Sequence, residues 1–260
     1  MRKRILSLVM LILIAGVLAA CGSNETSSDG MKLVEEGKFT YAASGEFKPF
    51  STTNGEGVMS GFDIEVAEAV ANELGLEPVQ KKFKFASIVE GVKTGRFDAA
   101  VASHTITEKR LKAVNFSTPY YYSGPQIFTR SDSDIQTLED LKGKEVAVSK
   151  GSTYSETAAE VTDNIIQYDS DVTALEALNN GRHDAVITDF VTGKEAIGAG
   201  FEIDGRKLLG RSEQAIAVAQ ENTELLEKVN EALDTLRENG TLKKISEKYF
   251  GEDITEDPDK

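Results

Sequence analysis

The sequence predicts an α/β protein made of two similar lobes. Segments with apolar residues at helical spacing alternate with short apolar segments that suit strands. One helix-turn-strand unit recurs 86 residues further along the chain. Beyond a leader of 20 residues, 240 residues remain, which is enough for two lobes of ordinary size. The alternation of helices and strands favours sheets of parallel strands flanked by helices.

The chain begins with the layout of a secretory signal peptide. The basic residues Arg2, Lys3 and Arg4 precede an apolar run from Ile5 to Ala20. This run is shorter than the roughly 20 residues that a membrane-spanning helix needs, so we predict that residues 1–20 are a cleaved signal peptide. The mature protein is therefore expected outside the cytoplasm.

Cys21 is the one cysteine of the chain and directly follows the small residues at the predicted cleavage point. The stretch resembles a bacterial lipobox, in which the cysteine is lipidated and becomes the first mature residue. We expect a lipid anchor at Cys21, although an ordinary signal peptide with a chance cysteine is an alternative. Residues 21–36 are assigned to the lipidated cysteine and a linker, and the Gly- and Ser-rich residues 22–30 suit a flexible tether.

The mature chain is strongly acidic. Without the three basic residues of the leader, 26 Lys and Arg face 43 Asp and Glu. This charge disfavours binding to nucleic acid, and it keeps the protein soluble near an anionic membrane surface. We expect no nucleic-acid partner.

The first helix is predicted over 62–74, where apolar residues recur at helical spacing. Gly75 suits a left-handed C-cap, and Pro78 prevents the helix from continuing. A strand that starts at Phe39 precedes this helix, with a polar loop over 44–60 between them.

The repeated unit pairs residues 87–103 with residues 173–189. In each copy a predicted helix ends at a glycine, the chain turns through Arg-x-Asp, and a short apolar strand follows. Ligands of open α/β sheets bind outside the carboxyl ends of the strands, which here are Ser103 and Asp189. One polar residue of each lobe is therefore expected to point towards a cleft. A common helix-to-strand turn, without further meaning, is the alternative.

Residues 104–110 follow the first of these strand ends. Thr105 or Thr107 can cap a helical turn, and Thr105 with Glu108 has the spacing of a capping box. The guanidinium group of Arg110 is a planar fork that matches a carboxylate, such as that of an amino acid. Arg110 as one surface charge among many is the alternative.

Six segments carry a resemblance that covers nearly all of residues 39–253. They read SGFDIEVAEAVANELG, GRFDAAVASHTITEKR, NFSTPYYYSGP, LEDLKGKEVAVSKGSTY, GRHDAVITD and LRENGTLKKISEKYFGED. Each is weak alone, but together they resemble the polar amino-acid branch of the bacterial extracellular solute-binding proteins, family three, of ABC importers.

The resemblance implies the two-lobed fold of the periplasmic binding proteins, type II, in which two crossover strands form a hinge that closes over the ligand. The crossings are expected near 122–126 and 215–219. The last two helices, 224–239 and 241–250, would complete the first lobe. The expected boundaries are 37–124 with 217–253 for lobe 1, 125–216 for lobe 2, and 254–260 for a C-terminal tail.

The resemblance also implies a ligand site, made of Phe47, Phe85, Ser103, Thr105, Arg110, Ser152, Thr153 and Asp189. Arg110 matches the arginine that holds the ligand carboxylate, with help from hydroxyl and backbone groups. Asp189 matches the carboxylate that receives the α-ammonium group. Phe47 and Phe85 match the aromatic pair that encloses the aliphatic part of the ligand.

The selectivity of this site stays open at the level of sequence. In the family, members that take basic amino acids carry an acid where this chain has Ser44, which argues against a strictly cationic ligand. Glu46 lies two residues further and is a possible substitute, and Ser149 is another candidate. His104 either lines the pocket or packs behind it, and packing is the favoured interpretation.

The function implied by the resemblance is capture of a small polar amino acid and its delivery to the membrane permease of an ABC importer. We expect a monomer without a metal or another cofactor, since two histidines and one lipidated cysteine make no plausible metal cluster. A dehydratase on the same scaffold is one alternative, with Glu46, His104 and Glu108 as its available acid or base groups. A sensor domain is the other.

Overall fold

The computed structural model describes residues 30–258. Within them lobe 1 begins with strands β1 (Lys38–Ala43), β2 (Glu46–Phe47), β3 (Ser51–Thr53) and β4 (Met59–Ser60) and helix α1 (Phe62–Glu73). It continues with β5 (Glu77–Lys82), α2 (Phe85–Lys93), β6 (Ala99–Ala100), α3 (Glu108–Leu111) and β7 (Val114–Ser123).

The chain then enters lobe 2. This lobe contains β8 (Pro125–Arg130), a 3-10 turn (Glu139–Leu141), β9 (Val146–Ser149), α4 (Thr153–Ala159), β10 (Ile165–Tyr168), α5 (Asp171–Asn179), β11 (Ala185–Asp189), α6 (Phe190–Gly198) and β12 (Ile203–Leu208). It returns to lobe 1 with β13 (Ser212–Ala219), α7 (Thr223–Glu238) and α8 (Thr241–Phe250).

Each lobe contains one five-stranded sheet, with the order β5-β1-β6-β13-β7 in lobe 1 and β10-β9-β11-β8-β12 in lobe 2. The predicted α/β fold with two similar lobes is confirmed. The sheets are mixed rather than purely parallel, because β13 and β8 run antiparallel to their neighbours. These are the two strands by which the chain enters a lobe from the other one.

The sequence repeat has the same structural role in both lobes. Gly95 and Gly181 adopt left-handed φ angles of 70° and 77° at the ends of α2 and α5. The Asp98 carboxylate then accepts a hydrogen bond from the Thr40 backbone N–H, and Asp184 accepts one from that of Glu145, at 2.7 and 2.9 Å. Each aspartate thus fastens its turn to the neighbouring parallel strand.

The two crossings between the lobes touch each other. A Cβ atom on Gly124 would lie 2.1 Å from the carbonyl oxygen of Gly210, so only glycine permits this approach. The Leu209 backbone N–H also donates to the Pro125 carbonyl oxygen at 2.8 Å. The hinge therefore consists of two adjacent backbone segments with little side-chain bulk between them.

Three boundaries differ from the sequence-based expectation. All of β13 pairs in the lobe 1 sheet from Ser212 onwards, so the second crossing lies before 212 rather than near 215–219. Met31 packs into the lobe 1 core, and the Lys32 backbone N–H donates to the Asn222 side chain, so the linker ends before 31 rather than at 36. Ile254 is buried in the same core, where the expectation placed a tail.

Lobe 1 has one continuous core, and α7 packs its apolar face against it. The buried residues of this face include Leu225, Val229, Leu233 and Leu236. In lobe 2 two separate clusters of buried residues pack against the sheet. Strands β2, β3 and β4 form an additional three-stranded sheet within the segment that the sequence assigned to a loop.

The predicted signal peptide, 1–20, and the lipidation site, Cys21, lie outside the described residues. Among residues 30–258 no helix is both long and apolar enough to cross a bilayer.

Candidate ligand-binding cleft

A small cavity, partly open to solvent, lies between the two lobes. Lobe 1 contributes Ser44, Glu46, Phe47, Phe85, Ser103, Thr105 and Arg110 to its lining. Lobe 2 contributes Ser149, Ser152, Thr153, Tyr154, Asp169, Ser170 and Asp171. All the predicted ligand and selectivity residues except His104 and Asp189 therefore line one cavity.

Arg110 reaches across this cavity. It follows Thr107, whose side-chain oxygen accepts a hydrogen bond from the Arg110 backbone N–H and caps α3, so Thr107 rather than Thr105 is the helix cap. The guanidinium Nη1 donates to the Thr105 carbonyl oxygen at 2.8 Å, and Nη2 donates to that of Gly151 in lobe 2 at 3.1 Å. These contacts hold a fixed positive charge at the cleft.

Ser103 occupies the strand end in an unusual backbone conformation, with a left-handed φ of 57° that costs energy for a non-glycine residue. Its backbone N–H donates to the Tyr120 hydroxyl at 3.0 Å, and its own hydroxyl donates to Asp63 at 2.8 Å. The Tyr120 hydroxyl donates to the other Asp63 oxygen at 2.6 Å. Burial raises the pKa of Asp63 to about 7, although the hydrogen bonds from the Tyr120 and Ser103 hydroxyls act to lower it. This buried network fixes Ser103 at the cleft.

Asp171, not Asp189, is the buried carboxylate that lines the cleft. It begins α5, and it accepts a hydrogen bond from the Thr188 hydroxyl at 2.6 Å. Burial raises its pKa, although hydrogen bonds from Thr188 and Ser149 oppose this. Asp171 was not predicted from the sequence. The feature that could have indicated it is an acidic residue directly after Ser170, which caps the helix.

Asp189 is turned to the hinge instead. Its Oδ2 atom accepts a hydrogen bond from the Ser123 hydroxyl at 2.6 Å, and its Oδ1 atom accepts one from the Val191 backbone N–H at 2.9 Å, which caps α6. The side chain is 1% exposed and is not part of the cavity lining. The contact of Asp189 with a ligand ammonium group therefore stays a prediction.

The aromatic residues form walls of the cavity in lobe 1. Phe47 stacks on the buried Phe50, with ring centroids 4.8 Å apart, and Phe85 stacks on His104 at 4.5 Å. Burial, and next the positive charge of Arg110, holds the pKa of His104 well below its usual value. His104 is thus a neutral packing partner behind Phe85, as the sequence analysis favoured.

The two acids at the cavity mouth already have partners. The Glu46 carboxylate lies 2.8 Å from Lys82 Nζ within lobe 1, and Asp169 of lobe 2 lies 3.4 Å from Lys84 of lobe 1. Ser44 is buried deeper, with its hydroxyl oxygen 3.3 Å from that of Ser51. Hydroxyl groups therefore dominate the inner lining, together with Arg110 and Asp171.

Among residues 30–258, four exposed ion pairs join the lobes, and they show that the lobes are in contact. They are Lys48–Glu195, Lys84–Asp169, Lys109–Glu156 and Lys194–Glu252, with N–O distances from 2.7 to 3.4 Å. Gly151 lies against Ala86 across the cleft, where an added Cβ atom would come within 2.9 Å of it.

Among residues 30–258 no group of three or more His, Cys, Asp or Glu side chains is placed to hold a metal ion. His183 lies outside the cleft lining, where its Nδ1 and Nε2 atoms are 2.6 Å from Glu145 and 2.5 Å from the Tyr168 hydroxyl.

Two α/β lobes, a double-stranded hinge and a polar cavity between the lobes define a solute-binding protein of the type that closes over its ligand. The comparison with known families agrees. Residues 39–252 match the family of bacterial extracellular solute-binding proteins, family 3, and the chain belongs to that family.

Individual relatives bind amino acids. The chain is 30% identical to the L-cystine-binding protein TcyJ of Escherichia coli K12 over 98% of its own length and 97% of that protein. An ancestral arginine-binding protein bound to arginine superposes with a TM-score of 0.78 at 35% identity, covering 83% of this chain and 99% of that one. An ancestral amino acid-binding protein, a precursor of cyclohexadienyl dehydratase, superposes with a TM-score of 0.77 at 30% identity. The match covers 82% of this chain and 96% of that one.

Proposed function

We propose that this protein captures a polar α-amino acid outside the cytoplasm and delivers it to the permease of an ABC importer. The observation that carries the proposal is the placement of Arg110 on one lobe and Asp171 on the other, both at one cavity. An α-amino acid bears a carboxylate and an ammonium group that match these two charges. A ligand that bridges them favours closure of the lobes.

The two ionic contacts supply enough free energy for useful affinity. A hydrogen bond to a charged group contributes about 1.5 to 3 kcal/mol, and a micromolar dissociation constant corresponds to about 8 kcal/mol. Two anchors with several hydrogen bonds each therefore account for much of a micromolar affinity. Burial of the aliphatic part between Phe47 and Phe85 supplies a further hydrophobic contribution.

The charge balance of the cavity favours an uncharged polar side chain on the ligand. Arg110 and Asp171 match the two charges of the α-carbon, and Glu46 and Asp169 already pair with lysines. A cationic side chain would have to displace a lysine to gain an acid, whereas hydroxyl or amide groups can bond to the serines and threonines of the lining. The cystine- and arginine-binding relatives make those two amino acids the most informative comparisons.

The alternative of a dehydratase has little support from the cleft. His104 is packed behind Phe85, Glu46 is paired with Lys82, and Glu108 is exposed and not part of the cavity lining. No general acid or base with a free approach to a ligand remains among the three candidates that the sequence named. We therefore propose a binding protein without catalytic activity.

The remaining parts of the proposal concern location. We propose that a lipid on Cys21 anchors the protein to the outer face of the cell membrane. We also propose that it acts as a monomer. The signal-like leader and the position of the single cysteine support the anchored location. Metabolic labelling with a radioactive fatty acid tests it: the wild-type chain should be labelled and Cys21→Ala should not.

A thermal-shift screen tests the ligand class, because a bound ligand raises the midpoint of unfolding by mass action. The panel contains the common amino acids, cystine and small carboxylates without an amino group. A shift with neutral polar amino acids and a smaller one with arginine or lysine is expected. No shift with any amino acid would contradict the proposal, and turnover of a hit would favour the dehydratase.

A further inference from the structure

We propose that Lys82 sets the charge selectivity of the cleft, because its ammonium group neutralises a carboxylate, that of Glu46, which would otherwise attract a cationic ligand side chain. This inference rests on the proposed function and names the class of amino acid that the cleft disfavours. The Glu46 carboxylate lines the cavity and lies 2.8 Å from Lys82 Nζ. Lys82 itself is not part of the cavity lining.

Among the described residues, three acids line the cavity, namely Glu46, Asp169 and Asp171. Asp171 is buried, and we assign it to the ligand ammonium group. The other two are exposed, and each has a lysine as its partner. A free carboxylate at this place would attract a cationic side chain. The acids suited to that task are therefore already neutralised by the protein.

Lys82 reaches Glu46 because of the strand register. Strands β1 and β5 are parallel, and Lys82 lies beside Ala43, the last residue of β1. The Phe83 backbone N–H donates to the Ala43 carbonyl oxygen at 3.0 Å, which fixes the end of β5 at this position. After Ala43 the chain turns and reaches Glu46 in β2. Successive side chains of a strand point to opposite faces, so Lys81 is directed away from Glu46.

A second lysine of the same segment has a similar arrangement. Lys84 Nζ lies 3.4 Å from the Asp169 carboxylate of lobe 2, and the next residue, Phe85, is an aromatic wall of the cavity. Because this pair joins the lobes, its formation requires contact between them. Residues 82–85 thus neutralise one acid within lobe 1 and, when the lobes close, a second acid on lobe 2.

The discrimination against cations arises from a missing gain in free energy rather than from a barrier. A ligand cation that binds Glu46 has to displace Lys82, so one exposed ion pair replaces another of similar strength. The ligand cation also gives up part of its hydration when it enters the cleft. A neutral polar side chain forms hydrogen bonds to the serine and threonine hydroxyls without this exchange. Lys82 thus lowers the affinity for cationic amino acids relative to neutral ones.

Lys82→Gln tests this inference, with Lys81→Gln as a matched control. Both changes remove one exposed lysine charge near the end of β5, but Lys81 forms no ion pair among residues 30–258, whereas Lys82 pairs with Glu46. The double variant Glu46→Gln/Lys82→Gln removes the carboxylate together with the lysine. Calorimetry measures the affinity of each protein for L-arginine, L-lysine and the best neutral amino acid of the thermal-shift screen.

The readout is the affinity for each cationic amino acid divided by the affinity for the neutral one, because this ratio cancels effects on folding and on closure of the lobes. We expect Lys82→Gln to raise the ratio about 3- to 10-fold above that of the wild type. Lys81→Gln should keep the wild-type ratio within about 2-fold, since a distant exposed charge is screened. Glu46→Gln/Lys82→Gln should lose the gain, since no carboxylate is released.

The outcomes separate the two proposals. If the wild-type protein binds no amino acid, the proposed function fails. If it binds neutral amino acids and Lys82→Gln has the same affinity ratio as Lys81→Gln, the function stands and the selectivity role of Lys82 is overturned. A gain that persists in Glu46→Gln/Lys82→Gln would also overturn it, because Glu46 would not be the group that Lys82 neutralises. A wild-type protein that prefers L-arginine to every neutral amino acid would have the same consequence.

Discussion

Arg110 of lobe 1 donates a hydrogen bond from Nη2 to the Gly151 carbonyl oxygen of lobe 2, at 3.1 Å. Arg110, which we propose binds the carboxylate of the ligand, is therefore also a contact between the lobes. Closure and binding share this side chain, so its removal affects both. The exposed ion pairs between the lobes also favour closure, but each pair contributes less free energy.

Arg110→Ala is expected to weaken amino-acid binding by about 3 kcal/mol, because the ligand carboxylate would be left without a partner in a closed cleft. Isothermal titration calorimetry measures the loss directly. Arg110→Lys keeps the charge but not the planar fork, and it should recover part of the affinity. Wild-type affinity in Arg110→Ala would remove this residue from the site.

Asp171→Asn is expected to reduce binding of all α-amino acids by a similar factor of about 100, since it removes the charge that faces the ammonium group. Asp163→Asn is the control, because Asp163 is an exposed acid of lobe 2 that does not line the cavity. Its effect should stay below about 1 kcal/mol. If Asp171→Asn affected one ligand alone, its role would be selectivity.

Ligand affinity should fall as salt concentration rises, because four exposed ion pairs form between the lobes. Each contributes at most about 1 kcal/mol and is screened by salt, so we expect a 3- to 10-fold effect as an order of magnitude. The double variant Lys84→Gln/Lys109→Gln should lose about half of this dependence, because it removes two of the four pairs. Lys93→Gln, which removes a pair within α2, should retain it.

Two buried carboxyl groups should make the folded protein less stable as the pH rises towards neutrality. Burial raises the pKa of both Asp63 and Asp189 from 3.8 to about 7. Their pKa in the folded state exceeds that in the unfolded state, so the folded state binds more protons between these two values and stability is lost as the pH rises through them.

Urea unfolding across this pH range measures the effect. The groups around Asp63 are Tyr120 and Ser103, while Asp189 contacts Ser123 and the Val191 N–H and senses the charge of Asp171. Asp63→Asn removes one titration and should flatten the decline in unfolding free energy. An unchanged pH dependence in this variant would show that Asp63 is not a contributor.

Much of the site was accessible from sequence, for a physical reason. Helix-strand alternation and the repeat place Ser103 and the segment up to Arg110 at a sheet edge, where cavities of α/β folds form. The choice between Asp171 and Asp189 was not accessible. Both are acids near a strand end, and only the contact of Asp189 with Ser123, distant in sequence, determines which one turns to the hinge.

The second crossing was misplaced for a related reason. Residues 215–219 are apolar and buried, and such a pattern predicts a strand without indicating the lobe in which it pairs. The Gly210 backbone marks the crossing through its contact with Gly124, which the sequence does not reveal. The strands β2 to β4 were missed because they are short and polar.

The most direct test of the central claim removes one charge of the ligand at a time. Calorimetry should compare the best amino acid from the thermal-shift screen with its N-acetyl derivative, which lacks the ammonium group, and its amide, which lacks the carboxylate. If Arg110 and Asp171 hold the two termini, both derivatives should bind at least about 100-fold more weakly, since each loses a charge-assisted contact and leaves a charged side chain unpaired. Binding of either derivative with the affinity of the free amino acid would contradict the assignment of this cleft.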